Sequence, residues 1–122
     1  MEIKLIETLN PPIMDAWAAG IIEGEGSIVF TNVKGRTLSR RCEIVVSMTD
    51  KDVIQKLHRV LGVGTMCGPY KGKNKARWTW SVQNQKGCFD TLLRIMPYLC
   101  ERRLAKASQM FEFLEGKIDK WI

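Results

Sequence analysis

The sequence predicts an α+β fold: a four-stranded antiparallel sheet with helices on one face. Three observations carry this. Residues 40–48 alternate Cys42, Ile44, Val46 and Met48 with Arg41, Glu43, Val45 and Ser47, the period-two pattern of a strand with one face on a core. Residues 76–82 repeat the pattern, with Trp78, Trp80 and Val82 set against Arg77, Thr79 and Ser81. Around these two stretches lie segments with apolar residues at helical spacing, in the order helix, hairpin, helix, hairpin, helix, helix. That order places helices on one side of an antiparallel sheet and leaves the other side to solvent or a partner. The 122 residues fit a single domain with one modest core, and no repeat, linker or low-complexity segment divides residues 1–122.

Residues 1–10 read as an arm. Asn10-Pro11-Pro12 starts the first helix, because proline tolerates the first turn, where its missing N–H has no partner to lose. Ile13, Met14, Trp17, Ile21 and Ile22 form an apolar face, and Ala16, Gly20 and Gly24 fall beside it at i, i+4 and i+8. Small residues at that spacing strip a helix nearly to its backbone, so that another helix can approach closely. The helix runs into a glycine-framed turn bearing Glu23 and Glu25. Two carboxylates there oppose the helix dipole, which favours cations at a C-terminus by about 0.3–1 kcal/mol per charge. Such a pair, with glycines on both sides of Glu25, points to a bound cation.

Ser27 to Val33 reads as a strand, 34–37 as a basic turn and Arg40 to Met48 as the returning strand. Thr49 is placed to cap a second helix with Asp50 and Asp52 in its first turn. Val53, Ile54, Leu57, Val60 and Leu61 face inward there, and Gly62 ends the helix. Gly64 to Pro69 forms a third strand, in which Pro69 marks an edge or an irregularity. A basic loop, 70–75, leads to the fourth strand, whose Trp78 and Trp80 face the core. A helix over 85–96 points Cys88, Phe89, Leu92, Leu93 and Met96 inward until Pro97 interrupts it. The last helix, from Glu101, buries Leu104, Ala107, Phe111 and Leu114 and stops near Gly116, leaving 117–122 as a loosely held tail.

A net charge of +6 calls for a polyanionic partner, although charge alone does not separate nucleic acid from a membrane surface. No apolar run reaches the length of a membrane span, the N-terminus lacks a signal-peptide pattern, and no helix carries a basic amphipathic face. The expectation is therefore an intracellular protein with no membrane partner. Cys42, Cys67, Cys88 and Cys100 contain no CxxC, and His58 is the single histidine. Zinc and triad chemistry are disfavoured, and buried thiols in a reducing compartment are expected.

Eight of the 19 Lys and Arg lie in or beside the hairpin turns: Lys34, Arg36, Arg40, Arg41, Lys71, Lys73, Lys75 and Arg77. They suit phosphate contacts. On the uncovered sheet face the candidates for base contact are Ser27, Val29, Thr31 and Val33, then Arg41, Glu43, Val45 and Ser47. Thr65 and Cys67 follow on the third strand, and Arg77, Thr79 and Ser81 on the fourth. A twisted antiparallel ribbon can enter the DNA major groove and offer such alternating side chains to base edges.

Ala18 to Gly26 resembles the signature of the LAGLIDADG homing endonucleases. Ala18 stands for the first Leu, Ile21-Ile22 for Leu-Ile, and Glu23 and Glu25 for the two Asp. The αββαββα order is also that of the family, and the likeness covers nearly the whole chain. Leu61-Gly62-Val63-Gly64, where the second helix meets the third strand, and Pro97-Tyr98-Leu99 with Arg102, before the last helix, look like further landmarks of the family. The resemblance implies hydrolysis of double-stranded DNA at a long target with a divalent metal, Mg²⁺. Glu25, as the second acid, would hold the metal with the carbonyl of Gly24, its carboxylate reaching one methylene further than Asp. Asp50, by its place after the second strand, would help organise the attacking water. Arg102 takes the place of a basic residue, commonly Lys, and would stabilise charge without transferring a proton. One motif also implies a homodimer, since two copies related by a twofold are needed to cut both strands of a pseudo-palindromic site. Ala16, Ala19, Gly20, Glu23 and Gly24 are the expected contact. Two other functions share this fold: an intron-RNA maturase, which needs the basic sheet but not cutting by Glu25, and a non-catalytic DNA-binding regulator.

Overall fold

A computed structural model describes residues 11–32, 40–73 and 75–121. The arm 1–10, together with Val33, Lys34 and Arg36, lies outside them. Helix α1 (Pro11–Glu25) runs directly into strand β1 (Gly26–Asn32), which pairs with β2 (Arg40–Met48). Helix α2 (Lys51–Leu61) leads to β3 (Thr65–Tyr70) and β4 (Arg77–Val82). Helix α3 (Gln85–Ile95), a 3₁₀ turn over Met96–Tyr98, helix α4 (Glu101–Glu115) and a 3₁₀ turn over Ile118–Trp121 complete the order. The strands are antiparallel throughout and stand in the order β1-β2-β4-β3, so the two hairpins join through β2 and β4.

The strand faces follow the alternation. Ile28, Cys42, Ile44, Val46, Trp80 and Val82 are buried against the helices, and Trp78 and Met48 pack at the core's margin. Trp80 is fully buried and its indole Nε1 donates to the Val63 carbonyl at 2.9 Å. Gly64, at φ +85°, lets the chain pass this ring, since a Cβ there would lie 2.6 Å from the Ser81 carbonyl oxygen. β3 is an edge strand with a register irregularity between Cys67 and Tyr70, which spans Pro69.

Several faces differ from expectation. In α1 the core is met by Ala18, Ala19 and Ile22, all fully buried, whereas Ile13 is half exposed. Two alanines permit a close approach that an apolar-bulk pattern does not register. Glu25 is the last helical residue and β1 begins at the next one, so a helix-to-strand junction replaces the expected turn. Asp50, not Thr49, occupies the N-cap of α2, and its side chain makes no capping bond. In α3 the core takes Thr91, while Leu93 is half exposed. The Thr91 hydroxyl can be buried because it donates to the Gly87 carbonyl at 2.8 Å. Residues 117–121 are docked: Trp121 stands 5.4 Å from Phe89, which stacks on Phe111 at 5.0 Å, and the Lys117 ammonium lies 4.7 Å from the Phe113 ring centre. Of the cysteines, Cys42 and Cys88 are buried and Cys67 and Cys100 exposed, all four as free thiols. Burial holds the Cys88 thiol up at about 12.

Candidate functional site at the end of the sheet

The register gathers the expected residues at one end of the sheet. Gly26 pairs with Val46, Met48 with Trp78, and Arg77 with Tyr70. The start of β1, the end of β2, the end of β3 and the start of β4 therefore share one end. Glu25 precedes this end, Asp50 follows it, and the loop bearing Lys71, Lys73 and Lys75 leaves from it. Asn32 and Arg40, at the other ends of β1 and β2, pair at the opposite side of the sheet.

The two acids of α1 have different surroundings. Glu23 Oε1 accepts the Cys100 backbone N–H at 2.6 Å, and Oε2 accepts from Arg103 Nη1 at 2.9 Å. Cys100 is the N-cap of α4, so an acid at the wrong end of α1 sits at the right end of α4, whose N-terminal dipole favours an anion. Arg103 Nη2 also donates to the Gly26 carbonyl at 2.9 Å, clasping the helix-to-strand junction from the far end of the chain. Glu23 is therefore engaged within its own chain, and Ala19 is buried in its own core. Glu25 is exposed and makes no hydrogen bond or ion pair among the described residues.

The Cys100 N–H, followed by Arg103, holds the Glu23 carboxyl below its ordinary value of 4.5. A depressed carboxyl contributes stability that is complete above the unfolded pKa and is lost as pH falls through the folded one. The expected result is that Glu23→Gln melts lower than wild type at neutral pH and that the difference shrinks on acidification below about pH 4.5. Thermal melts across that range check it.

Arg102 is exposed, and so is Lys106, one helical turn on. With Arg103, Gly26, Ser27 and Ile28 they line an open groove of about 300 Å³ beside the start of β1. Arg102 was singled out in the sequence, whereas its groove neighbours Arg103 and Lys106 were not. The i, i+4 spacing signals Lys106; nothing local signals the pairing of Arg103 with Glu23. Asp50 is exposed at the N-cap of α2. Among the described residues no group of three His, Cys, Asp or Glu is placed to hold a metal.

The uncovered sheet face is formed largely as expected. Ser27, Val45, Ser81 and Thr65 make one row across the four strands, and Ser47, Thr79 and Cys67 another. Thr31 stands opposite Arg41, and Val29 opposite Glu43. Arg77 is exposed and tied down at the acidic end, donating to the Ser47 carbonyl at 2.7 Å and its hydroxyl at 3.3 Å, while Thr79 bonds the same hydroxyl at 3.2 Å. Arg40 is exposed, with its guanidinium 5.1 Å from the Phe30 ring centre. Glu43 departs from the expected exposed contact: only 7% of it is accessible.

No protein-family model and no curated protein matches the chain. Solved structures do. The homing endonuclease I-CvuI, in complex with its target in the presence of Ca, superposes with a TM-score of 0.71 at 20% identity, over 88% of this chain and 69% of that one. Group I intron-encoded I-CeuI, complexed with DNA, gives 0.65 at 15% identity, over 87% of this chain and 56% of that one. LAGLIDADG homing endonuclease I-GzeII, in complex with a DNA target, gives 0.68 at 13% identity, over 87% of this chain and 36% of that one. The chain has the fold of the LAGLIDADG homing endonucleases.

Proposed function

We propose that this chain is a LAGLIDADG endonuclease that cuts double-stranded DNA at a specific, pseudo-palindromic target, as a homodimer with a divalent ion such as Mg²⁺. The observation that carries this reading is the asymmetry of the two acids. Glu23 is fully engaged, while the Glu25 side chain has no partner among the described residues and stands beside a basic groove. A partnerless carboxylate at a helix C-terminus is unfavourable in the isolated chain and becomes favourable once a cation arrives.

Oxygen donors suit Mg²⁺, which keeps several waters and takes few protein ligands. Glu25 and the Gly24 carbonyl, one of those left without an intrahelical partner at the end of α1, would hold the ion. When bound, it supplies charge neutralisation at the phosphate and a more acidic water. Asp50, with no capping bond to occupy it, would orient the attacking water. Arg102 and Lys106 draw the scissile phosphate into the groove; Arg102 stays protonated, so its part is electrostatic. The bare sheet face lies in the major groove, and Lys71, Lys73 and Lys75 bind phosphates. Arg40 does so at the other end of the sheet, and by the same reading so do Lys34 and Arg36. Each copy cuts one strand, and Ala16, Gly20 and Gly24 meet their counterparts across the twofold.

The same basic face would serve a maturase on intron RNA or a DNA-binding regulator, but neither accounts for Glu25. The free thiols are in keeping with a reducing compartment inside the cell. The test is incubation of the chain with a library of duplexes and Mg²⁺, followed by sequencing of the ends. Ends recurring at one site with a fixed stagger are expected. Binding without cutting under Mg²⁺ and Mn²⁺ overturns the nuclease reading.

A further inference from the structure

A buried carboxylate stands in the middle of the uncovered sheet face. Glu43 Oε1 accepts from Arg41 Nη2 at 2.6 Å, and Oε2 accepts from Gln83 Nε2 at 2.8 Å. Its side chain is 10% exposed, while that of Arg41 is 59% exposed, and Gln83 is exposed as well. An open groove of about 370 Å³ adjoins the trio, lined in part by Arg40, Arg41, Gln83 and Gln85.

Several features make this an odd arrangement for stability alone. Val29 stands across the strand pair and Val45 lies next on the same face, so an apolar residue would fit at position 43. Glu is a poor strand former, and a buried ion pair roughly breaks even against an apolar replacement of similar size. An acid also opposes a polyanionic ligand unless its charge is cancelled. Here Arg41 cancels it, and both oxygens are engaged, so Glu43 has no oxygen free of a partner to offer a base.

Resting on the nuclease reading above, we propose that Glu43 is a specificity-positioning residue that holds Arg41 and Gln83 for reading adjacent base edges. Arg41 spends one Nη2 bond on Glu43 and keeps its other N–H groups for the paired acceptors of a guanine. Gln83 must turn its nitrogen toward a carboxylate that can only accept. Its carbonyl oxygen and second N–H are thereby fixed outward, the acceptor–donor pair that matches adenine. Neither the charge pattern nor the strand alternation marked Gln83, because it lies one residue past the end of β4.

The test is selection of a randomised duplex library for binding in Ca²⁺ by wild type, Glu43→Gln, Arg41→Ala and Gln83→Ala, followed by sequencing. Glu43→Gln keeps the shape but can present either oxygen or nitrogen to Gln83, which frees that amide to flip. Discrimination is expected to fall about tenfold at the one or two base pairs per half-site that Arg41→Ala and Gln83→Ala also relax, the scale of one well-held base contact. Every other position should keep its preference, a pattern that a general loss of stability does not produce. A Glu43→Gln profile identical to wild type, or one weakened evenly at all positions, overturns the positioning role and leaves the nuclease reading intact. A wild type that selects no sequence at all overturns both.

Discussion

Glu25→Gln is expected to abolish Mg²⁺-dependent cleavage while leaving the fold and DNA binding in place. The side chain is exposed and bonded to nothing among the described residues, so the amide disturbs no packing, and melting should hold or rise slightly as an unfavourable charge leaves the helix C-terminus. What it removes is the charge that, on the proposed reading, would hold the cation. Cleavage should fall by about 10³-fold or more, at or beyond the upper end of what a single preorganised electrostatic group supplies. Affinity should hold or rise, because a carboxylate facing a phosphate without a metal between them is repulsive. Cleavage rate and duplex affinity, measured on one target in Mg²⁺ and in Ca²⁺, separate the two effects. Glu23→Gln is the control: it loses stability first, because its carboxylate ties α1 to α4. If Glu25→Gln cuts as fast as wild type, the metal carboxylate lies elsewhere.

That the two acids would differ was only partly legible in their sequence. Both sit at a helix end that disfavours them, and that much follows from spacing. Which one is compensated depends on Cys100 and Arg103, about 80 residues away, and no local pattern carries such a pairing. The sheet was legible because alternation is local. Cys42, Ile44 and Val46 face the core as their spacing requires, and the rows Ser27–Val45–Ser81 and Ser47–Thr79 follow from the same parity. Helix faces were less so. Ala18, Ala19 and Thr91 are buried because neighbouring elements come close, and Ile13 and Leu93 are half exposed despite their bulk. Glu43 was placed on the correct face with the wrong exposure: its polarity suggested solvent, and only the pairing with Arg41 and Gln83 permits its burial.

Gly20→Leu is expected to break the dimer without harming the chain that forms it, and this opposition of signs makes the measurement decisive. A Cβ built on Gly20 or Gly24 meets nothing within 4 Å, so no packing among the described residues calls for glycine at either position. Yet glycine inside a helix costs about 0.8–1.0 kcal/mol relative to alanine. Two such residues one turn apart weaken α1 with no return inside the chain, and a close-packed copy of the same helix supplies one. Leucine at position 20 should therefore leave the isolated chain as stable as wild type, or more so. Across a twofold the same side chain is introduced from both copies, and overpacking costs about 1–3 kcal/mol per site. The dimer dissociation constant should rise by about thirtyfold to ten-thousandfold, and double-strand cutting should give way to nicking at low protein concentration. Sedimentation over a concentration series, paired with melting under dissociating conditions, reads both signs. An unchanged dimer places the interface on another face of the molecule, and a destabilised monomer means that the glycines serve this chain's own packing after all.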